Sequence, residues 1–551
     1  RRYDIVYGDV MLNFNYNIRR FDIAATLGWT GRYENMNNMR VSTNGGLVTE
    51  NWFDLNASRY TPSSTLQRME LLKTGYMGTL SLGWDNYLFL ELTGRQERSS
   101  TLKDQSFFYP SANLSFLFTQ AFHMPSWWNY GKLRLSYGIV GNAPETYTAN
   151  IVYEQGSDNG FTWNTIPSSW GNADIRPEKK YEYEIGLESK FLNNRLGIDV
   201  SYYNNRVKDQ ILSTPQPSTS GVKNVLMNVG EVANHGWDIS ISATPILTRD
   251  FRWDLTANYG VYKNKVVKLA DGVPYLEILN SGGSGIKIQA VEGQPMGDIY
   301  AQVPQVNENG EYLVSDKGLY LNQTELQKVG NINPAGVGGL FNSFSYKNVF
   351  LDFSIDFRIG GDVINEMNQY ATAVGLTPES LKYRDTEHGG LSYYYPGDNN
   401  SSGIPVQVDP STGAGPNGEI IYHDGIILPG VVASTGERNT RIIPAGYYYN
   451  TTYNWGTEAE QLTYRHSVFD NSYVKLRELT IGYQFPEKII SKLGLGRLSV
   501  SVFGRNLFYF YKALKNYDAE SSVGTSWANQ ATVGSSTTAT RSFGVSLRAS
   551  F

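Results

Sequence analysis

The 551-residue chain contains no cysteine. This absence removes disulfides and thiolate metal sites, so no redox chemistry is indicated, and an oxidising compartment is compatible with the sequence. Histidine is scarce, and the five histidines lie far apart in the sequence, without a metal-ligand spacing such as HExxH. We therefore expect no resident cofactor, and we interpret these residues as interfacial or loop positions: His123, His235, His388, His423 and His466.

Long apolar runs and an excess of one charge are also missing. No apolar stretch approaches the ~18 residues of a transmembrane helix, which excludes a helical membrane protein. The formal net charge is −5 with the signs interspersed. This balance argues against nucleic acid as a partner, because nucleic acid calls for a basic face. Arg1 and Arg2 resemble a twin-arginine start, but no apolar segment follows them, so we identify no targeting signal.

Aromatic residues and glycine are abundant instead. The chain has 39 Tyr, 24 Phe, 11 Trp and 55 Gly, while its hydrophobic fraction is only 40%. Such a composition is typical of a protein in which half of each strand faces water and aromatic rings mark membrane interfaces. The glycines indicate many turns.

The C-terminal segment RSFGVSLRASF has a strict period of two. Phe543, Val545, Leu547, Ala549 and Phe551 alternate with small or charged residues, which predicts a strand with one oily and one polar face. That pattern alone fits a solvent-faced edge strand of a sandwich as well as a membrane strand. The aromatic terminus, and the recurrence of the pattern at the ~9–11 residues of a spanning strand, favour a barrel with Phe551 at the periplasmic rim.

Fifteen segments with strand character follow one another along the chain, and short and long connections alternate between them from end to end. The short ones include Asp85-Asn86, Asn193-Asn194 and Lys347-Asn348, and asparagine tolerates positive φ at such turns. We predict an all-β fold: a transmembrane antiparallel β-barrel with about fifteen strands here and long extracellular loops. The segments are 4–17, 21–33, 71–84, 87–97, 109–120, 131–141, 181–192, 195–205, 235–246, 251–264, 339–346, 350–360, 473–485, 497–511 and 541–551.

The strand count bears on closure. If the terminal strand runs down to the periplasm, counting back makes the segment 4–17 a downward strand as well. Bacterial barrels have even strand numbers, so about fifteen strands that begin downward do not close alone. We expect residues 1–551 to be the C-terminal part of a larger barrel whose further strands pair the open edge.

Four stretches carry a resemblance to a known family. They are VEGQPMGDIYAQ, NINPAGVGGLFNSFSYKNVFLDFSIDFRIGGDVIN, RPEKKYEYEIGLESKFLNNRLGIDVSYYN, and YVKLRELTIGYQFP with the following GRLSVSVFGRNLF. Over essentially its whole length the chain resembles the C-terminal half of the SusC/RagA-like TonB-dependent transporters of Bacteroidetes. The resemblance implies a 22-strand barrel in the outer membrane and a transporter rather than an enzyme.

The same resemblance implies a function and partners. The function is TonB-dependent active import of a large nutrient, either an oligosaccharide (glycan) or a peptide. The partners are a SusD-like surface lipoprotein over the mouth and the TonB–ExbB–ExbD complex, which acts on a TonB box and a plug domain that are not among these residues. A siderophore or cobalamin receptor of the same mechanism, a non-transporting adhesin or assembly barrel, and a secreted β-rich glycosidase remain as alternatives.

Aromatic clusters in the loops are the candidate binding residues, because binding residues concentrate on loops carried by a rigid scaffold. The loops 361–471 and 512–540 contain many of these rings. Their flat apolar faces and polar tips suit sugar rings, peptide side chains or a protein lid, and equally suit packing of loop against loop. The candidate contacts are Trp163, Trp170, Tyr393, Tyr394, Tyr395, Tyr447, Tyr448, Tyr449, Trp455 and Trp527.

Two weaker motifs have simpler explanations. The stretch VNENGEYLVSD (306–316) places side-chain oxygens near a glycine turn, as a calcium loop does, but lacks the leading Asp and terminal Glu, so an Asn-Gly turn is the alternative. Asp352 and Asp356 share one strand face and resemble the carboxylate pair of a glycosidase. Polarity towards the barrel lumen explains them without catalysis.

Overall fold

The computed structural model describes residues 1–103, 106–158, 161–215, 219, 221–281, 285–397, 403–454, 463–521, 526–534 and 539–550. Trp455 and Phe551 lie outside this set. Two compact units are present, one of Arg1–Ser242 with Tyr262–Pro274 and one of Ala243–Val261 with Tyr275–Phe551. Among the described residues, none of the helices has the length and hydropathy needed to cross a membrane.

Fifteen strands form one large antiparallel sheet in which they follow the order of the chain. Each predicted segment overlaps one of these strands, so the predicted all-β class and the strand count are confirmed. The strands are β1 (Arg2–Ile18), β2 (Phe21–Leu47), β3 (Ser58–Trp84), β4 (Leu88–Ser99), β5 (Ser106–Phe116), β6 (Trp128–Asn142), β7 (Glu178–Phe191), β8 (Leu196–Lys208), β9 (Glu231–Leu247), β10 (Phe251–Lys268), β11 (Pro334–Tyr346), β12 (Val349–Gly360), β13 (Tyr473–Gln484), β14 (Arg497–Lys512) and β15 (Ser542–Ser550).

The long connections contain short elements of their own. The α-helices are α1 (Phe118–Ala121), α2 (Glu366–Ala373), α3 (Ala445–Tyr453) and α4 (Glu487–Ile490), and the 3-10 turns are Leu55–Ala57, Pro378–Leu381, Tyr464–Ser467, Ser491–Leu493 and Asn529–Ala531. The short strands are Glu154–Asp158, Phe161–Thr165, Ser169–Trp170, Ile211–Pro215, Asn224–Asn228, Tyr275–Ser281, Ile286–Val291, Asp298–Ala301, Leu313–Val314, Gln327–Asn331, Asp362–Ile364, Leu391–Tyr394, Val406–Gln407, Tyr422–Ile426, Val431–Val432, Ile443–Pro444 and Val468–Asp470.

The two faces of the sheet differ in polarity, as β7 and β8 of the first unit illustrate. On one face Glu188 lies opposite Asp199, and Arg134 of β6 donates to Asp199 with Nη2–Oδ1 and Nη1–Oδ2 distances of 2.6 and 3.1 Å. On the other face Leu187 lies opposite Val200, and the Leu187 side chain is exposed. A polar inner wall and an apolar outer face are the arrangement of a membrane barrel.

A continuous band of aromatic rings follows the short-turn ends of β2 to β7 in the first unit. The centroids of neighbouring rings are 5.2–6.5 Å apart. The shortest distance is between Phe118 and Trp128, and the distance between Phe21 and Trp84 is 6.5 Å. Such a band marks a membrane interface. The one-turn helix α1 lies at this band and contributes Phe118 to it. The band comprises Phe21, Trp84, Tyr87, Phe116, Phe118, Phe122, Trp127, Trp128 and Phe191.

The strands β2 and β3 are much longer than the segments predicted for them. We expected strands at 21–33 and 71–84 with a polar connection between them, but β2 and β3 each have 27 residues. The ladder from β1 reaches Asn37 of β2, and the ladder from β4 reaches Lys73 of β3. Beyond those points, within the described residues, β2 and β3 pair only with each other as a two-stranded ribbon. Both faces of the ribbon meet water, so the sequence there lacks the alternation that identifies a strand.

The long loops of the second unit are packed structures with apolar cores. A four-stranded sheet runs through Tyr275–Ser281, Ile286–Val291, Asp298–Ala301 and Gln327–Asn331. Its residues Ile286, Ile288 and Ile299 are fully buried and pack with residues of later loops. The loops are thus fixed platforms, on which side chains hold defined positions. The later residues in this core are Ile332, Ile364, Val468, Ala528 and Ala531.

Candidate functional site: the tyrosine clusters of the long loops

A first cluster of tyrosines is built on α3. Tyr449 and Tyr453 are four residues apart and so share a helix face, with ring centroids 5.6 Å apart, while Tyr448 lies 5.2 Å from Tyr449. The imidazole of His466 stacks on Tyr453 at 4.3 Å. Burial, aided by the charge of Arg465, lowers the pKa of His466 to about 4, so this ring is neutral at pH 7.

Tyr449 fastens α3 to the neighbouring 3-10 turn. Its Oη donates to the carbonyl oxygen of Glu379 at 2.8 Å and lies 3.3 Å from that of Lys382. The Arg384 guanidinium lies 5.3 Å from the centre of the same ring, within cation–π distance. Burial raises the pKa of Tyr449 to about 12. Tyr449 therefore acts in holding the loops together.

A cleft of about 510 Å³ opens beside this cluster, a volume within the ~300–1,000 Å³ range of small-molecule sites. Tyr320, Tyr383 and Tyr448 line it, and the Lys382 ammonium lies 4.8 Å from the centre of the Tyr383 ring. Glu379 adds a carboxylate that accepts from Asn516 Nδ2 at 3.2 Å. The other lining residues are Gly389, Leu391, Gly425, Ile426, Ile427, Leu428, Pro429, Tyr449 and Tyr453.

The cleft is rigid because an apolar cluster lies beneath it. Leu319, Ile426, Leu428 and Ile443 are buried together, with Tyr447 and Tyr448 packed against them. Tyr320 Oη donates to the carbonyl oxygen of Pro429 at 3.1 Å, which fixes one wall of the cleft. The cleft thus combines aromatic faces and one charge of each sign on a fixed base.

A second cluster surrounds the strand Leu391–Tyr394. The Tyr393 ring stacks on Tyr422 and meets the edge of Tyr395, both at 5.5 Å, and its Oη donates to Asp424 Oδ1 at 3.1 Å. Tyr393 is 1% exposed and Tyr395 is 5% exposed. These two rings pack loop against loop, while Tyr394 is half-buried. Their role as substrate or lid contacts stays a prediction.

The three predicted tryptophans among the described residues do not join either cluster, and Trp455 lies outside the described residues. Trp163 is half exposed, and its indole ring packs over Gly156 in the same hairpin. The contact is so close that a β-carbon at Gly156 would lie 2.8 Å from the ring. Trp170 meets the edge of Tyr153 at 5.9 Å in the first unit. Trp527 belongs to the second unit and is 38% exposed. Of the nine predicted contacts that lie within the described residues, the cleft takes only Tyr448 and Tyr449.

Several residues of the cleft were missed by the sequence argument. Tyr453 had a local signal, because it follows Tyr449 at helical spacing in the run YYYNTTY. Tyr320, Tyr383 and Lys382 had none that we used, since they come from distant segments that only the folded loops bring together.

The two weaker motifs are engaged in local contacts. Asp352 accepts from Ser343 Oγ at 2.6 Å, and Asp356 accepts from Arg477 Nε at 2.5 Å. Each carboxylate thus has its own partner on the inner wall. In the stretch 306–316, Asn307 Oδ1 accepts from the backbone N–H of residue 309 at 3.0 Å and of residue 311 at 2.9 Å, which is an Asx turn. The calcium hypothesis stays a prediction.

An ionic cluster attaches the last long loop to the inner wall of the second unit. The Glu520 carboxylate accepts three hydrogen bonds, from Arg477 Nη2 at 2.5 Å, from Arg477 Nη1 at 2.9 Å and from Lys475 Nζ at 2.6 Å. Lys475 is fully buried, and this carboxylate is the opposite charge that offsets the cost of burying its ammonium. Burial opposes the ionisation of Glu520, but the hydrogen bonds and charges of Arg477 and Lys475 outweigh it and lower the pKa of Glu520 to about 2.

Comparison with known proteins decides the family. The family described as "TonB dependent receptor-like, beta-barrel" matches residues 1–295, which is more than half of the chain. The chain belongs to this family. The resemblance found in the sequence is confirmed, and the TonB-dependent receptor barrel is located in the outer membrane.

Curated relatives are TonB-dependent receptors of Bacteroidetes. TonB-dependent receptor P3 of Formosa agariphila is 24% identical over 494 residues, which cover 82% of this chain and 42% of that protein. TonB-dependent receptor SusC of Bacteroides thetaiotaomicron is 30% identical over 247 residues, which cover 41% of this chain and 24% of SusC. The chain thus spans less than half the length of these relatives.

Solved structures show the same fold. "Structure of the RagAB peptide transporter" aligns with a TM-score of 0.65 at 18% identity, over 92% of this chain and 53% of that one. At this level of identity the likeness shows the barrel architecture.

Proposed function

We propose that this receptor chain is part of an outer-membrane importer that takes up a large nutrient, an oligosaccharide or a peptide, by TonB-dependent active transport. The observation that carries the proposal is the receptor-barrel family match over residues 1–295. The loops support it, because their tyrosine rings pack against apolar cores that hold them in fixed positions for contact with a ligand.

The proposal includes two partners. A SusD-like lipoprotein would cover the mouth, and TonB–ExbB–ExbD would supply energy. The relation to SusC and the likeness to a peptide transporter support this arrangement. The chain spans 42% of the length of the relative P3. The proposal assigns the contact with TonB to a TonB box, as the resemblance to the family implies. The predicted domain assignment, in which residues 1–551 form the C-terminal part of the barrel and the plug lies elsewhere, is part of the same proposal.

Uptake by whole cells tests the proposal. Cells that carry the complete receptor and its lipoprotein would be given fluorescent oligosaccharides and fluorescent peptides, with and without a protonophore and in a strain lacking TonB. We expect one nutrient class to accumulate only when TonB and the proton gradient are present. Ferric siderophore and cobalamin serve as comparison substrates. Energised uptake of either comparison substrate, or no energised uptake of any of the four, would reject the proposed function.

A further inference from the structure

Tyr383, on the wall of the cleft, has an unusual backbone. Its φ is +68°, a left-handed conformation that bulky residues rarely adopt and that glycine adopts without strain. Hydrogen bonds hold the turn closed, from the Tyr383 N–H to the His388 carbonyl at 2.9 Å and from the Gly390 N–H to the Asp385 carbonyl at 2.6 Å. These hydrogen bonds use only the backbone of Tyr383, so they do not explain why the residue at this position is a tyrosine. Such local strain points to a role in function.

The side chain serves the cleft. The Tyr383 ring lines it together with Tyr320 and Tyr448, and Lys382 lies against the same ring. Glu379 supplies the opposite charge at this site. A ligand in the cleft therefore meets aromatic faces together with a few polar groups that can orient it.

The strand at the base of the cleft argues against a peptide in extended form. Tyr422–Ile426 pairs with Leu391–Tyr394 on one edge and with Ile443–Pro444 on the other. Recognition of an extended peptide by strand addition needs an open edge, and this strand has both edges occupied. A pyranose ring needs no such edge, because its C–H faces stack on aromatic rings while its hydroxyl groups bond to charged side chains.

We propose that the cleft between Tyr320, Tyr383 and Tyr448 binds pyranose rings of an oligosaccharide, and that Tyr383 is held in its strained conformation to stack on one of them. This inference rests on the proposed function, since it names the nutrient class that the importer selects. The ammonium of Lys382 and the carboxylate of Glu379 bond to the sugar hydroxyls.

Replacement of Tyr383 by glycine separates binding from stability. Glycine keeps the left-handed backbone and removes the ring, so Tyr383→Gly is expected to weaken sugar binding about tenfold while the unfolding temperature stays the same or rises. Tyr383→Phe keeps the ring and is expected to retain most of the binding. The matched control is Tyr147→Gly, since Tyr147 has a φ of +67° and lies outside the cleft. The control is expected to leave binding unchanged.

The measurement is titration calorimetry on the complete receptor in detergent, with short oligosaccharides from partial hydrolysis of starch, laminarin and xylan as probes and a pool of random octapeptides as the competitor class. Failure of the unmodified receptor to bind any of these sugars, or equal binding by Tyr383→Gly, overturns the inference. Peptide binding that depends on Tyr383, with energised peptide uptake, also overturns it and leaves the proposed import intact. Sugar binding that depends on Tyr383 in a receptor without energised uptake upholds the cleft and rejects the import.

Discussion

At the scale of single residues, the ionic cluster at Glu520 yields a stability prediction. Glu520→Ala leaves the buried charge of Lys475 without its carboxylate, and we expect a loss of up to about 3 kcal/mol in the free energy that holds the last long loop on the wall. Limited proteolysis of residues 513–521 measures this. The control is Asp271→Ala, since Asp271 is 93% exposed in its pair with Lys268 and is expected to contribute less than ~1 kcal/mol. Equal protection of the loop in both variants would contradict the prediction.

The same carboxylate predicts a pH dependence. In the folded protein the pKa of Glu520 is about 2, below the ~4.3 of an unfolded chain. A depressed pKa stabilises the fold above the unfolded value, and the contribution is lost as the pH falls towards 2. We expect the loop to be protected from protease at pH 7 and to lose this protection as the pH is lowered from about 5 to about 2. Glu520→Gln should remove most of this decline, and an unchanged decline in that variant would assign it to other groups.

At the scale of elements, the two faces of each strand should respond oppositely to charge. Leu547 of β15 is 68% exposed and Phe353 of β12 stacks on Phe344 of β11, as expected for an outer apolar face. Arginine on this face near the midplane costs ~2–4 kcal/mol, so Leu547→Arg and Phe353→Arg should lower the yield of assembled barrel. The neighbours Ser546 and Ser354 point inward, and their arginine variants should assemble better. Heat-modifiable mobility on gels measures the yield, and equal yields for both sets would contradict the assignment of faces.

The barrel strands could be predicted from sequence because one face of each strand contacts lipid and the other contacts polar groups. Apolar and polar residues therefore alternate along each strand with a period of two. The short turns were also predictable: Asp85, Asn86, Asn193 and Asn194 all have positive φ. The loops were harder. The helices α2 and α3 and the outer parts of β2 and β3 are stabilised by contacts with distant segments or are wet on both faces, and neither situation leaves a local pattern.

The cleft illustrates the same limit at the scale of the site. The runs of adjacent tyrosines drew attention to Tyr393 and Tyr395, yet these are buried in packing. Tyr448 and Tyr449 do line the cleft, but Tyr383 comes from a separate turn, and its strained backbone is visible only in the fold. Composition identifies which loops are rich in rings, whereas long-range packing decides which rings face a ligand.

At the scale of the whole molecule, if the proposed SusD-like lipoprotein is the partner, we expect the ribbon of β2 and β3 to contact it. A two-stranded hairpin is marginally stable alone in water, and its tip carries the exposed side chains of Trp52, Phe53 and Leu55, with Phe53 at 86% exposure. Exposed apolar clusters mark interaction sites. Because Val41 lies opposite Ser64 in the ladder, residues 42–63 can be replaced by Asn-Gly without a change of register.

We expect the shortened receptor to assemble with the same yield and heat-modifiable mobility as the original, since loop tips tolerate changes that strands do not. Co-purification of the lipoprotein from cells that produce both proteins should fall. A full-length variant with Trp52→Ser and Phe53→Ser serves as the control for length, because it keeps the ribbon and removes only the apolar tip. If both variants retain the lipoprotein at the original level, the ribbon is not its contact and the contact belongs to the packed loops of the second unit. If only the shortened receptor loses it, the partner binds the strands of the ribbon rather than the two aromatic side chains.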